Sequence, residues 1–379
     1  MRFRVERAVL AEAVAWAARS LPARPPVPVL AGLMLSADTD AAGRLVLSSF
    51  DYEVSARVEI TADVTEPGVV LVSGRLLADI TRSLPARPVE VATDGAKVVV
   101  TCGSSRFTLL TLPVEDYPTL PEMPGASGSL RGDLFAAAVG QVSIAVGRDD
   151  TLPVLTGVRL EIEAEKITMA ATDRYRLAVR DLAWTPEQAG LSAIALVPAR
   201  TLADTAKSLA SADKVTVALA AGGTGEGLVG FEGSGRRTTS RLLDGEFPKY
   251  KSLLPAESAS VATVETAGLV ESVRRVALVA ERNTPIRLSF SGGEVTLEAG
   301  SGDEAQASES LDAGLTGDDI SIAFNPAYLL DGLGVLDAAY AELRFTASTR
   351  PAVIAGKDSV DATAGDDYRY LLMPVRLSG

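Results

Sequence analysis

The 379-residue sequence contains no histidine. Its absence excludes a serine or cysteine triad of the usual kind, a histidine general base and an imidazole metal ligand. Cysteine is nearly absent as well, since Cys102 stands alone, and this excludes an internal disulfide and any multi-cysteine metal site. In the apolar run KVVVTC it reads as a small buried strand residue. Long hydrophobic runs are missing too. Nothing approaches the roughly 18–20 apolar residues of a membrane span, and the start, MRFRVERAVLAEAVAWAARS, lacks the uncharged core and cleavage site of a signal peptide. The expected location is the cytoplasm, with no membrane partner.

Catalysis would have to rest on carboxylates, lysine or a bound cofactor, and the sequence offers little for it. Acidic pairs occur at Asp149-Asp150, Asp318-Asp319 and Asp366-Asp367, each in a turn-like stretch where neighbouring carboxylates read as solvated surface. GGTGEG at 222–227 lacks the Gly-Lys-Ser/Thr ending of a phosphate loop and reads as a hairpin tip. RGD at 131–133 opens a predicted helix and carries no adhesive meaning. No enzyme activity and no cofactor are expected.

What is present is repetition. VPVLAGLML at 27–35 returns as LPVLTGVRL at 152–160, and a shorter echo, TPIRLSF, follows at 284–290. Each phrase is preceded by a segment with apolar residues at helical spacing: RFRVERAVLAEAVAWAAR, RGDLFAAAVGQVSIAVGR and AGLVESVRRVALVAERN. Each is followed by a β-rich strip, then by an apolar strand running into a second short helix: VVLVSGRLLADITRSL, IALVPARTLADTAKSL and ISIAFNPAYLLDGLGVL. The chain therefore reads as α+β, with three tandem copies of a β-rich unit carrying two helices each. The expected domains are 1–122, 129–255 and 261–379, with boundaries in PEMPGASGS and PAESAS. Tandem copies repeat one interface with one rotation, which favours an arc or a ring, closed alone or as half of a six-unit dimer.

The three-fold repeat, TDRYRLAV, DGEFPKY and the terminal YLLMPVRLSG, in this order over the whole chain, resemble the bacterial DNA polymerase III β subunit, the replicative sliding clamp. Twenty-nine arginines against seven lysines fit a GC-rich bacterium, and the wording is actinobacterial. The resemblance implies the DNA clamp fold: two chains head to tail as a homodimeric ring around duplex DNA, with helices lining the hole and sheets outside. It implies a processivity factor that slides without sequence specificity. The net charge of −13 is compatible with this, because the six predicted helices sum to +4 and leave −17 elsewhere. A mildly basic bore holds DNA without fixing it in place.

Arg24, in ARPPVPVL, matches a DNA-contacting arginine of the family, and Arg75 and Arg200, at the starts of the second helices, are expected companions. The family also inserts partner peptides into a hydrophobic pocket. Partners so implied are the replicative polymerase, the clamp loader, translesion polymerases and repair proteins. Carried over by motif, the pocket takes Leu155, Thr172, Arg174, Tyr175, Arg176, Leu177, Leu253, Asn325, Tyr328, Leu371, Met373, Pro374, Val375 and Arg376. Leucine and methionine would form an adaptable floor, with arginine and tyrosine at the rim. Arg174-Tyr175 stand where many relatives have Gly-His, which makes one wall bulkier. Leu30, the counterpart of Leu155 in the first copy, is expected only to pack.

Ring closure is expected to use Ile80, Arg106, Phe107 and Leu109 on one side and Leu278, Asp303, Glu304 and Glu309 on the other, an aromatic contact flanked by opposite charges. The segment GSGDEAQASES carries fewer glutamates than relatives do. Two other readings are a carboxylate-dependent hydrolase and a clamp paralogue conferring self-resistance to a clamp-binding antibiotic. The first lacks acids recurring at matching positions. The second would keep every motif and change only pocket side chains.

Overall fold

A computed structural model describes residues 1–39, 43–220, 227–280, 284–300 and 305–376. GGTGEG lies almost wholly outside the described residues, as do Asp303 and Glu304.

One element order occurs three times, except that the third repeat has a single long strand where the first two have a long strand followed by a short one. The first repeat runs β1 (Arg2–Val5), α1 (Arg7–Ala17), β2 (Gly32–Asp38), β3 (Arg44–Phe50), β4 (Val54–Thr61), β5 (Asp63–Glu66), β6 (Gly68–Ser73), α2 (Gly74–Ser83), β7 (Val89–Asp94), β8 (Lys97–Cys102) and β9 (Ser105–Leu112). The second runs β10 (Ala126–Leu130), α3 (Gly132–Ser143), β11 (Gly157–Glu163), β12 (Lys166–Thr172), β13 (Arg176–Ala183), β14 (Thr185–Pro186), β15 (Ser192–Pro198), α4 (Ala199–Ser208), β16 (Val215–Leu219), β17 (Leu228–Gly233) and β18 (Arg236–Arg241). The third runs β19 (Ser260–Glu265), α5 (Thr266–Val276), β20 (Ile286–Ser291), β21 (Glu294–Ala299), β22 (Ala307–Thr316), β23 (Ile320–Phe324), α6 (Pro326–Gly334), β24 (Tyr340–Phe345), β25 (Ala352–Lys357) and β26 (Tyr368–Leu372).

Local sequence accounts for these elements. In α5 the buried residues Thr266, Leu269, Ser272, Val273 and Val276 recur at helical spacing, and the Glu265 carboxylate caps the start by accepting from the Gly268 amide. In β21 the alternation places Val295, Leu297 and Ala299 in the core. All six predicted helices form, but within tighter limits. Arg2 and Arg4 belong to β1, and Arg19, Arg131 and Arg148 lie beyond the α-helical ranges. The helices proper then carry a net charge of only +1, so the expected basic excess is not a property of the helices alone.

The chain packs into two compact units, residues 1–133 with 207–242 and residues 134–206 with 243–379. In the first unit the sheet runs β10-β16-β17-β18-β4-β3-β2-β6-β9-β8-β7-β1-β5; in the second it runs β15-β11-β12-β13-β26-β25-β24-β19-β22-β21-β20-β23. The middle repeat thus gives one of its sheets to each unit, because hydrogen-bonded ladders continue across repeats.

Each unit holds one such joint. In the first, β18 pairs with β4, from Arg236 opposite Val58 to Ser240 opposite Val54. In the second, β26 pairs with β13, from Tyr368 opposite Arg180 to Leu372 opposite Arg176. Val58 and Arg180 are equivalent positions. They face Leu47 and Met169, which face Leu35 and Leu160, the final residues of the two echoed phrases. The same path in the third repeat leads from Leu288 through Leu297 to Glu309. Tracing the other ladders from Val5, Leu130 and Val264, each two residues before a helix, through Val89, Val215 and Ala341, brings Ser105, Arg236 and Tyr368 to equivalent places. The two joints are one joint, used twice in the same register.

Candidate functional site

The second unit contains an open cleft of about 470 Å³ built on a tight turn and a helix start. The turn joins β12 to β13. Asp173 accepts through one carboxylate oxygen from the amides of Tyr175 (3.0 Å) and Arg176 (3.1 Å), which folds the chain back and forces Arg174 to φ +80°. This reverses the strand and sets Tyr175 at the surface while burying Arg176. The helix is α6. Asn325 caps it, its side-chain oxygen accepting from the amides of Ala327 (2.9 Å) and Tyr328 (3.2 Å), and Pro326 occupies the first turn. A Cβ at Gly332 would lie 2.3 Å from the Tyr370 ring, so glycine lets α6 settle on that ring, while the Tyr370 hydroxyl donates to the Tyr328 carbonyl at 2.8 Å.

Arg176 ties the two pieces together. It donates to Asp173 at 2.9 Å and to Asp331 at 2.5 Å, and its guanidinium stacks 4.3 Å from the centre of the Tyr328 ring. Burial works against its charge, but the hydrogen bond to Asp331 and the other anionic and phenolic neighbours more than offset this and raise its pKa. Tyr175 stacks on Tyr328 with ring centres 6.3 Å apart. Beneath, Leu152 and the buried Leu155 form the apolar side of the cleft, with Val146 and Gly147, and the Gly147 amide donates to the Leu155 carbonyl.

The fourteen residues expected to form a pocket divide into groups. Leu155, Arg174, Tyr175, Arg176 and Tyr328 line the cleft. Leu177 and Leu371 face each other across β13 and β26 and enter an apolar cluster with Ala170, Val179, Leu196, Phe247, Tyr250 and Val353. Thr172 is buried below the turn, its hydroxyl donating to the Arg176 carbonyl. Asn325 acts as the cap of α6. Met373 and Val375 are exposed, as is Arg376, and the segment is pinned by Met373 donating to the Tyr175 carbonyl and Val375 to the Ala323 carbonyl. Pro374 between them is half-buried. Leu253 is 50% exposed, and its neighbour Leu254 is the residue packed on the apolar cluster. Asp331 escaped sequence reasoning although it lies three residues from Tyr328, spacing that places both on one helix face. Arg148 and Asp149, also on the cleft, precede the echoed phrase, and Leu152 is its first residue; none of the three was assigned to the pocket from the sequence.

The first repeat keeps the turn but fills the space below it. Asp51 accepts from the amides of Glu53 and Val54, and Tyr52 takes φ +77°. Phe50, however, stands where Thr172 stands in the second repeat and packs with Val29, the fully buried Leu30, Leu71 and Tyr117. Leu30 only packs.

Arg24, Arg75 and Arg200 are all exposed. Arg75 donates to the Pro22 carbonyl at 3.0 Å, which holds it beside the turn that carries Arg24. The residues expected at the ring interface differ in exposure. Ile80 and Leu109 are buried in the first repeat's own core, because strand alternation turns Leu109 inward and Leu110 outward, with Leu110 71% exposed. Arg106 and Phe107 are exposed on β9, and Leu278 is 84% exposed. Glu309 is already engaged, accepting from Ser272 and Arg275 of α5.

Comparison with known proteins places this architecture. Models of the DNA polymerase III beta subunit match along the chain, the N-terminal domain at residues 1–121, the central domain at 129–249 and the C-terminal domain at 251–376. The chain is 66% identical to the beta sliding clamp of Streptomyces coelicolor over the full length of both, and 50% identical to the beta sliding clamp homolog GriR of Streptomyces muensis over 99% of both. It also matches a DnaN sliding clamp from Pseudomonas aeruginosa bound to griselimycin, at 29% identity with TM-score 0.91 and full coverage of both chains. The Bacillus subtilis DNA polymerase sliding clamp matches at 26% identity and TM-score 0.90, over 100% of this chain and 99% of that one. The chain belongs to the DNA polymerase III beta subunit family, that of the beta sliding clamps.

Proposed function

We propose that this protein, as the sliding clamp of the replicative polymerase, acts as a head-to-tail homodimeric ring around duplex DNA, a processivity factor rather than an enzyme. The observation that carries the ring is the twice-used joint. Its two strand types occur three times each, and two of each are paired within the chain. What remains is β9, whose residues 105–110 pair only with β8, and β22, whose residues 307–312 pair only with β21, among the described residues. Unpaired edges of this length invite a partner strand. Using the joint a third time, between chains, closes the ring.

In this reading the repeats act as domains 1–122, 129–255 and 261–379. Arg24, Arg75 and Arg200 contact phosphates, few enough that the ring slides. The cleft at Tyr175 and Tyr328, together with the neighbouring Leu177 and Leu371 and the exposed Met373 and Val375, takes the apolar anchors of peptides from the polymerase, the clamp loader, translesion polymerases and repair proteins. The greater identity to the Streptomyces coelicolor clamp than to GriR favours the replicative role over an antibiotic-tolerant paralogue. Light scattering tests the assembly. A particle of about twice the 39.4 kDa chain mass is expected, and a monomer at micromolar concentration would overturn it.

A further inference from the structure

The cleft is lopsided in what it leaves unsatisfied. Six charged side chains line it: Arg148, Asp149, Asp173, Arg174, Arg176 and Asp331. All three carboxylates are engaged. Asp149 accepts from the Thr151 amide (3.0 Å) and hydroxyl (2.6 Å), Asp173 from the turn and Arg176, and Asp331 from Arg176. Arg176 is occupied by the same bonds. The side chains of Arg148 and Arg174 are exposed and make no hydrogen bond or ion pair among the described residues, although the Arg174 charge lies near enough to Asp149 to help the Thr151 hydrogen bonds hold that carboxyl below its usual range. The charged donors still available are therefore both cationic, beside a wall made by two stacked tyrosines.

Arg174 occupies a costly position. At φ +80° its Cβ crowds the backbone in a way that glycine avoids. The turn alone imposes this conformation, since Tyr52 shares it in the first repeat. An arginine there offers the fold nothing that glycine would not.

Resting on the peptide-binding reading above, we propose that the cleft selects peptides that carry a carboxylate beside an apolar anchor, with Arg174 as the residue that reads the carboxylate and Arg148 as a second contact. The apolar group lies against Leu155 and the tyrosines. The acid then meets guanidinium donors, which bind carboxylates through paired, charge-assisted hydrogen bonds.

The test is fluorescence polarisation with a labelled clamp-binding peptide from the replicative polymerase of the same organism, made with Asp or Asn in turn at each position flanking its apolar anchors. At low salt the best Asp peptide should bind wild-type protein about three- to tenfold more tightly than its Asn partner, and the ratio should shrink in 0.5 M salt. Arg174→Gly should bring the ratio to about one while raising the unfolding midpoint by about 2–4 °C. Arg148→Ala should lower the ratio in part. Asp and Asn peptides that bind wild type equally at every position would overturn the proposal and leave the pocket standing. So would an undiminished ratio in both variants. Failure of both peptides to bind would remove the pocket reading, and this proposal with it.

Discussion

If one joint is used three times, its register is fixed before any second chain is seen. Arg236 faces Val58 in the first unit and Tyr368 faces Arg180 in the second; the equivalent positions on the open edges are Ser105 and Glu309. Ser105 of one chain should therefore face Glu309 of the other, Arg106 should face Ser308, and Phe107 should face Ala307. Residues directly opposite in an antiparallel ladder have Cβ atoms about 4.5–5.5 Å apart, within reach of a disulfide or a very short bismaleimide. A one-residue slip moves a side chain to the other face of the sheet. With the buried Cys102 replaced by serine, Arg106→Cys with Ser308→Cys should give a covalent dimer on non-reducing gels, and Arg106→Cys with Ala307→Cys or Glu309→Cys should not. Burial of Phe107 contributes roughly 1.5–3 kcal/mol at each interface. A ring contains two such interfaces, so Phe107→Asp should weaken the dimer by about two to four orders of magnitude in dissociation constant, read by light scattering across a dilution series. Cross-linking in a slipped register, or a Phe107→Asp protein as tightly dimeric as wild type, would refute the shared-joint argument.

Deleting Met373 to Gly379 removes two exposed apolar side chains and the two backbone bonds that pin the segment. Loss of two anchoring contacts of about 1–3 kcal/mol each should weaken peptide binding by roughly one to four orders of magnitude in a polarisation assay. The protein should stay dimeric, since the joint lies in other strands. Acid sensitivity should include Glu309, because its hydrogen bonds to Arg275 and Ser272 hold its carboxyl down at about 2 against the ordinary 4.5. A depressed carboxylate stabilises the fold above its unfolded pKa and loses that contribution as pH falls toward 2. Arg275→Ala should therefore lower the urea midpoint at neutral pH and flatten its fall between about pH 4.5 and 2, because the folded carboxyl returns toward its unfolded pKa. With no histidine in the chain, midpoints should change little between pH 6 and 8.

The repeat, the six helices and the strand-rich remainder were legible because apolar periodicity is a local property, and the echoed phrase marked equivalent positions without an alignment. Exact helix limits were less so. Arg2 and Arg4 continue an apolar alternation that reads equally well as helix or strand, and the ladder to β7 decides it. The site was legible where the motif was contiguous, as in Asp173 to Leu177. It was opaque where tertiary packing chose between neighbours, as with Leu253 and Leu254 or Leu109 and Leu110, since burial depends on which face the partner element covers. The engagement of Glu309 by Arg275 joins residues 34 apart in sequence, and no spacing rule reports such a pair.

If the chain closes into the proposed ring, it holds DNA by surrounding it and not by gripping it. After loading onto a nicked circular plasmid by the cognate clamp loader, labelled protein should remain with the DNA through gel filtration in moderate salt, and cutting the plasmid once should release it. Release before cutting, or retention on the linear product with unblocked ends, would contradict that claim.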